Sequence, residues 1–472
     1  MEVKERLEGE KPNVLVIYPD QMRFDAMGCS GNPVVKTPHI DRLAREGVRF
    51  NHAYTAFPLC CPFRASVMTG KYPHSAGMPA NHYPIPLGQE FLAEIFRDHG
   101  WRTGYIGKWH LDGGIKHGYV APHRRLGFDH FVGFNRGHTY FKSIFFRNND
   151  PRPRTSRRYE PDYQTDHLIE FMDSCAHGGD DEPFLAMICY GLPHAPLTMP
   201  DHYASLYSPS EVPARDNTPS THKRAPGEGA WRERARRFLA GYYGLMASVD
   251  HNVGKVLDWL DGAGLADDTL VVFVSDHGDM AGEHGRFAKK TYYEAAMRVP
   301  FIVRYPRRFD AGRVVDALVD PSVDLMPTLL ETCGLPAPDG VQGTSALPLL
   351  DGSAETTREA VFYEIDKERE GPERFPIAER GVRTREWLYV RTEERGAVLF
   401  NLQDDPLETN NLVDSAAHSE TVARLDAMLS EHMARTGDDW AIEAVFPPPD
   451  FQTHGEGGRY GRELLSRAIV EP

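Results

Sequence analysis

Asn13-Val14-Leu15-Val16-Ile17-Tyr18, closed by Pro19-Asp20-Gln21, is the stretch on which the fold turns. Five apolar residues follow Asn13 without interruption and three are β-branched, the pattern of a strand buried on both faces in a parallel sheet. The same signature recurs at Phe184–Tyr190 (F-L-A-M-I-C-Y), Leu270–Ser275 (L-V-V-F-V-S) and Phe301–Arg304, and in shorter form at Thr103–Ile106. Helical signals lie between these runs. Thr37-Pro38 opens a helix that Gly47 closes, with Thr37 as its cap, and Phe91–His99 stops at Gly100. A long helix carries Phe238, Tyr242, Leu245, Val249, Val253, Val256 and Leu260 at steps of three and four, and Ser322–Thr332 forms another. Strands alternating with helices predict an α/β fold: a large, mainly parallel sheet sandwiched by helices.

That architecture makes one arrangement informative. Asp20, Lys108, His194 and Asp276 each follow the carboxyl end of a predicted strand within a few residues. In open α/β sheets this rim is where ligands bind. Taken singly, Asp20 is equally well read as a helix cap, whereas Asp276 after a fully apolar strand reads better as a ligand.

Beyond about residue 353 the pattern changes. Val361-Phe362-Tyr363, Trp387–Arg391 and Val398–Leu402 are short strands between charged turns, and Val422, Leu425, Leu429 and Met433 mark a helix to pack on them. The expected division is residues 1–353 as an N-terminal catalytic domain, 354–437 as a smaller antiparallel sheet plus helix, and 438–472 as a wrapping extension. Residues 205–230, rich in Ser, Pro and Gly, are expected as a surface loop, and the R-P-R-T-S-R-R run at 152–158 as a solvated insertion.

The 472-residue chain is 41% hydrophobic and 26% charged, which suits a folded globular protein. A net charge of -15 argues against nucleic acid or an anionic membrane as partner, so an anionic substrate would need a local basic pocket. The opening M-E-V-K-E-R-L-E-G-E has no apolar run, and no later stretch is long enough to span a bilayer. Six cysteines (29, 60, 61, 175, 189 and 333) lack C-x-x-C spacing, which disfavours a zinc knuckle or a disulfide framework. Reduced thiols in a cytoplasmic protein are the expectation, or a secreted protein if a leader has been removed.

Chemistry concentrates in Pro58–His74, P-L-C-C-P-F-R-A-S-V-M-T-G-K-Y-P-H. Pro62 suits the first turn of a helix that Ala65–Met68 continue, which sets Cys60 at the positive helix end with Arg64 nearby. That describes a reactive group beside an anion site. It equally describes a pair of buried structural cysteines.

Cys60-x-Pro62-x-Arg64, followed by small residues and Thr69-Gly70, resembles the signature of the type I sulfatases of the alkaline phosphatase superfamily, with Met68 where Leu is usual. Leu399–Leu412 (L-F-N-L-Q-D-D-P-L-E-T-N-N-L) is similar to a segment of that family's C-terminal subdomain, so the resemblance spans roughly residues 11 to 413. It implies an alkaline-phosphatase-like fold and a Cys60 converted to formylglycine by a formylglycine-generating enzyme, the aldehyde hydrate being the nucleophile. It also implies one divalent metal held by Asp20, Gln21, the converted Cys60, Asp276 and His277. Calcium is the expected ion, with magnesium or manganese as alternatives. Gln21 departs from the more usual Asp, and Asp25 and Asp279 are read as caps or supporting carboxylates.

By the same resemblance Lys108 and His110 in G-K-W-H match a K-x-H element, Lys108 holding a sulfate oxygen and His110 taking a proton from the diol. His194 in G-L-P-H-A-P matches a histidine that protonates the leaving oxygen. Lys289 matches a substrate lysine four residues before Tyr293, with Lys290 the neighbouring choice; Arg64 would stabilise the nucleophile's alkoxide and the metal shell. Asn81 matches a substrate-facing Asn of some branches, against a plain turn. His52, His74, His82 and His284 are candidates to line the pocket, with a structural histidine as the commoner reading of each.

The leading function is hydrolysis of a sulfate monoester, aryl or saccharide, with a saccharide attacked from its chain end favoured. A phosphonate or phosphate ester hydrolase is the alternative, disfavoured because the resembling phosphonate hydrolases replace K-x-H with uncharged hydroxyl residues. A non-catalytic glycan-binding protein on a decayed scaffold is a second. A homodimer is the expected partner state if the chain self-associates.

Overall fold

Alternation along the first strand, β1 (Asn13–Asp20), divides the core into two layers. Val14, Val16 and Tyr18 face one cluster of buried apolar residues, and Leu15 and Ile17 face the other. The computed structural model describes residues 11–178, 182–366, 377–440 and 468–471.

In chain order the strands are β1, β2 (Val48–Ala53), β3 (Arg102–Lys108), β4 (His130–Phe134), β5 (Ile144–Arg147), β6 (Asp150–Ser156), β7 (Phe184–Pro193), β8 (Thr269–Val274), β9 (Phe301–Arg304), β10 (Arg313–Val319), β11 (Val361–Ile365), β12 (Glu379–Arg383), β13 (Trp387–Arg391), β14 (Gly396–Asn401) and β15 (Ile469–Glu471). The longer helices are α1 (Pro38–Glu46), α2 (Cys60–Thr69), α3 (Leu92–Asp98), α4 (Glu160–Ala176), α5 (Ala230–Gly262), α6 (Pro321–Thr332) and α7 (Ser419–Thr436).

Eleven strands form one sheet in the order β10-β2-β9-β8-β1-β7-β3-β4-β5-β6-β15. Its centre, β8-β1-β7-β3-β4, is parallel throughout. Helices α2, α3 and α6 cover one face, while α1, α4 and α5 cover the other. The expected α/β sandwich is therefore the observed one.

A second sheet, β11-β12-β13-β14, is antiparallel. Tyr363, Leu388, Val390 and Phe400 pack one of its faces onto Tyr54, Phe57 and Leu59 of the main body. Val382, Tyr389 and Leu399 meet Leu425, Leu429 and Met433 of α7 on the other.

Several local expectations are corrected. Thr37 makes no side-chain cap bond; Asp250 of α5 instead accepts the N–H groups of His39 and Ile40, so a distant carboxylate caps α1. β9 is buried as expected but runs antiparallel to both neighbours. The arginine run at 152–158 largely belongs to β6, where Asp150 pairs with Arg152 and Arg154 and lets a charged strand lie between β5 and β15. Strands β2, β10 and β12 mix polar with apolar positions, and β4 and β5 are apolar runs of five residues or fewer, so none carries a strand signal of its own and each gains its neighbours only in the sheet. Of the expected extension, residues 441–467 lie outside the described residues, and Ile469–Glu471 pairs with β6 as β15. Among the described residues no helix is long and apolar enough to cross a membrane, and all six cysteines are free.

Candidate active site

The four rim residues come from adjacent parallel strands. Asp276 lies just past β8, Asp20 ends β1, His194 follows β7 and Lys108 ends β3. A register shift between Pro19 and Asp20 pairs Asp20 with Pro193 of β7 while Pro19 pairs with Tyr190, and the next residue, Gln21, has φ of +72°. The sheet thus delivers four polar side chains to one rim.

Helix α2 supplies the fifth. It begins at Cys60, all ten of its residues are buried, and Gly70 ends it in the left-handed conformation. No side chain of Leu59 caps it; Asn81 Oδ1 accepts the Cys61 N–H at 2.9 Å. Asn81, expected as a substrate contact or a turn, thereby has its oxygen committed to the start of the nucleophile helix.

Cys60 Sγ lies 3.3 Å from His277 Nε2, 3.6 Å from Asp20 Oδ1 and 3.7 Å from Lys289 Nζ. Burial, then the Asp20 carboxylate, push its thiol up to about 11. One ligand atom from each of Asp20, Cys60, Asp276 and His277 lies within 4.8 Å of the others. Three features fit a divalent cation there. His277 Nδ1 donates to Gly278 O at 3.0 Å, so Nε2 presents a lone pair to the cluster. Asp276 Oδ2 is buried and has no hydrogen-bond partner among the described residues. The donor set itself, two carboxylates and an imidazole nitrogen, is of the type that divalent cations take.

Gln21 enters the same cluster in a fixed sense. Its Nε2 donates to Asp279 Oδ2, and its Oε1 accepts from Lys289 Nζ at 2.5 Å. Because the Lys289 ammonium can only donate, the Gln21 atom that faces it is the carbonyl oxygen, which leaves the amide N–H for Asp279. Asp279 is thus a supporting carboxylate as expected, while Asp25 pairs with Arg23 and Arg215.

The cations have distinct stations. Lys108 is buried, with Nζ 2.6 Å from Asp20 Oδ2. Burial would raise the Asp20 carboxyl, but the charge of Lys108, with that of Arg64, outweighs it and holds Asp20 well below the usual range. Lys289, rather than its neighbour Lys290, reaches Cys60. Arg64 reaches the carboxylates expected to hold the metal, as the metal-shell part of its expected role requires: its guanidinium donates to Asp20 Oδ2 at 3.1 Å and lies 3.7 Å from Asp276 Oδ2, and it also donates to Lys108 O at 2.5 Å and to the Tyr18 hydroxyl at 3.2 Å. It anchors the floor of the site and ties β3 to β1.

His110 is buried with φ of +59°, and its Nε2 lies 3.1 Å from His82 Nδ1. Burial, with Lys108 second, pushes its pKa well below the ordinary value. His82 thus touches one of the expected site residues. His52, His74 and His284 do not: they meet Tyr54, Glu364 and Tyr293 respectively. His194 Nδ1 donates to Ala195 O at 2.6 Å, which leaves Nε2 as the atom able to exchange a proton. The sequence reading passed over His138, whose ring lies face to face with that of His194. Its signal was available, because it follows the end of β4 as the other rim residues follow theirs.

Residues 12–335 match the Sulfatase family model, and residues 282–435 match the model of the N-sulphoglucosamine sulphohydrolase C-terminal region. The chain is 34% identical over 443 residues to an ulvan-active sulfatase of Formosa agariphila, covering 93% of this chain and 84% of that protein. Among solved structures it is similar to the YidJ protein of Bacteroides fragilis, with a TM-score of 0.83 at 26% identity over 91% of this chain and 97% of that one. It is also similar to a phosphonate monoester hydrolase of Silicibacter pomeroyi, with a TM-score of 0.74 at 26% identity over 91% and 96%. A five-strand rim closed on a buried cysteine, two carboxylates and an imidazole thus agrees with a family match over most of the chain: this protein belongs to the sulfatase family of the alkaline phosphatase superfamily and is a sulfuric ester hydrolase.

Proposed function

We propose that the chain hydrolyses a sulfate monoester of a saccharide, using Cys60 after conversion to formylglycine and one divalent cation. The observation that carries the reading is the meeting of Cys60 with Asp20, Asp276 and His277 inside one ligand-sized cluster. Asp20, Asp276, His277 and the Gln21 carbonyl would hold the cation, and this mainly oxygen donor set favours calcium. The hydrated aldehyde supplies a hydroxyl nucleophile and the cation supplies Lewis-acid polarisation.

The chain's own residues do the rest. Lys108 and Lys289 bring two ammonium groups to where the sulfuryl oxygens gather charge. His194 would protonate the departing oxygen from Nε2 as the imidazolium, with Nδ1 still on the Ala195 carbonyl, and the His110–His82 pair would receive the proton released on the nucleophile side. Arg64 holds Asp20 in place and has no need to touch substrate. A saccharide is supported by the 34% identity to a sulfatase named for its action on ulvan.

Two measurements test this. Mass spectrometry of the Cys60 peptide from a host able to mature sulfatases should show loss of the sulfur atom. Parallel assays on aryl sulfate, aryl phosphonate and sulfated oligosaccharides should favour sulfate; much faster turnover of the phosphonate would transfer the chain to the activity of its Silicibacter neighbour.

A further inference from the structure

His138 lies outside every role assigned above, yet it touches two of the residues that have one. Its ring centroid is 3.6 Å from that of His194, with the planes 3° apart. Its Nε2 is 3.2 Å from Lys108 Nζ, and its Nδ1 is 3.4 Å from the Tyr140 hydroxyl. That hydroxyl also meets the carbonyl oxygens of Gly191, at 2.6 Å, and of His194. Carbonyls cannot donate, so Tyr140 spends its proton on them and can only accept from His138. The neutral ring is then protonated on Nδ1, and the lone pair on Nε2 faces the Lys108 ammonium.

Lysine has three N–H bonds and free rotation about the last carbon. One N–H goes to Asp20 Oδ2 at 2.6 Å and one to His138 Nε2, which fixes the direction of the third. The loop that carries His138 is itself held. Asn135 Nδ2 donates to Asp112 O at 3.0 Å and Gly113 O at 2.7 Å, and at Gly137 (φ +146°) a Cβ would come within 2.6 Å of the His117 ring.

We propose that His138 is a positioning residue for sulfate-ester cleavage: its Nε2 aims the Lys108 ammonium at the sulfuryl group while its ring face holds His194 in line with the leaving oxygen. The inference rests on the roles given to Lys108 and His194 above. It separates into two parts that different side chains can supply. Glutamine can replace the acceptor but not the flat ring.

The test compares parent, His138→Ala and His138→Gln, each with conversion of Cys60 confirmed by mass, on 4-nitrophenyl sulfate and on phenyl sulfate. The first substrate needs little protonation of its leaving group; the second needs more. His138→Ala should lose about 10-fold in kcat/KM on the nitrophenyl ester and about 100-fold on the phenyl ester, in keeping with the cost of small misplacements. His138→Gln should return to within about threefold of the parent on the first substrate while keeping most of the loss on the second. Binding of inorganic sulfate, followed by calorimetry, should weaken about fivefold in His138→Ala and recover in His138→Gln, since it reads Lys108 without chemistry. Equal losses on both esters, no loss, or no selective recovery in the glutamine variant would overturn the proposal. If His138→Ala does not fold, the substrate selectivity of His138→Gln decides alone. A parent inactive on both sulfates defeats the underlying reading, whereas an active parent with unchanged variants defeats only this inference.

Discussion

Asp276 is the residue on which the cation reading bears most directly. Its Oδ1 accepts the N–H groups of Gln21 and His277, and its Oδ2, 3.7 Å from Arg64 and 3.6 Å from His277 Nε2, has no hydrogen-bond partner among the described residues. Asn in its place keeps the Oδ1 bonds and the shape but removes the charge. Asp276→Asn should therefore lower kcat/KM on an aryl sulfate by about 100- to 1,000-fold while the melting temperature of the metal-free protein barely changes. Calcium at about 100 times its Kd should stabilise the parent by roughly 2.7 kcal/mol, and the melting shift should vanish in the variant. Magnesium or manganese giving the larger shift would correct the choice of ion. Arg64 makes the complementary case. Its guanidinium is buried against Asp20 and the β3 carbonyls, so Arg64→Met should cost about 3–5 kcal/mol in a denaturant melt, because Asp20 loses a partner it cannot exchange for water.

Among the elements, the contact between β3 and β7 sets the spacing of Lys108 and His194. Gly107 sits in it with φ of +103°, and a Cβ there would stand 2.1 Å from the carbonyl oxygen of Cys189. Gly107→Ala is both conformationally strained and in collision with backbone that cannot move without parting the strands. A loss of about 2–4 kcal/mol is expected from the denaturant midpoint. A neutral result would show that the two strands can slide apart at little cost. Helix α2 depends on an equally local device, the Asn81 oxygen on the Cys61 N–H, which replaces the cap that Leu59 lacks.

For the whole molecule, a buried charged seam joins the main body to the C-terminal sheet and the end of α7. His74 lies 2.6 Å from Glu364 of β11, with Asp438 beyond, and Arg380 bridges Asp438 and Asp366. Burial lowers the His74 pKa, but the Glu364 carboxylate more than offsets this, and the value rises from 6.5 to about 9. The folded state thus keeps a proton that the unfolded chain releases near 6.5. The resulting stability, about 3 kcal/mol at most, is fully present below pH 6.5 and falls away as the pH rises through about 9. His74→Gln should be less stable at pH 6 and should lose that part of the pH slope between 6.5 and 9. An unchanged slope in the variant would assign the dependence to other groups.

Periodicity determined the parts of this protein that a short stretch of chain can specify alone. Apolar runs buried on both faces gave β1, β7 and β8, regular three- and four-residue steps gave α5, and the position of Asp20, Lys108, His194 and Asp276 after strand ends placed them on one rim. The local C-x-P-x-R string likewise set Cys60 at the start of a helix. Tertiary structure decided everything that depends on distance between segments. It chose Lys289 over Lys290, turned the Gln21 carbonyl toward Lys289 and its amide toward Asp279, assigned Arg64 to the floor and brought His82 and His138 against site residues. The reason is physical: burial pattern is written residue by residue along the chain, whereas the orientation of a hydrogen-bonding side chain is set by partners tens or hundreds of residues away.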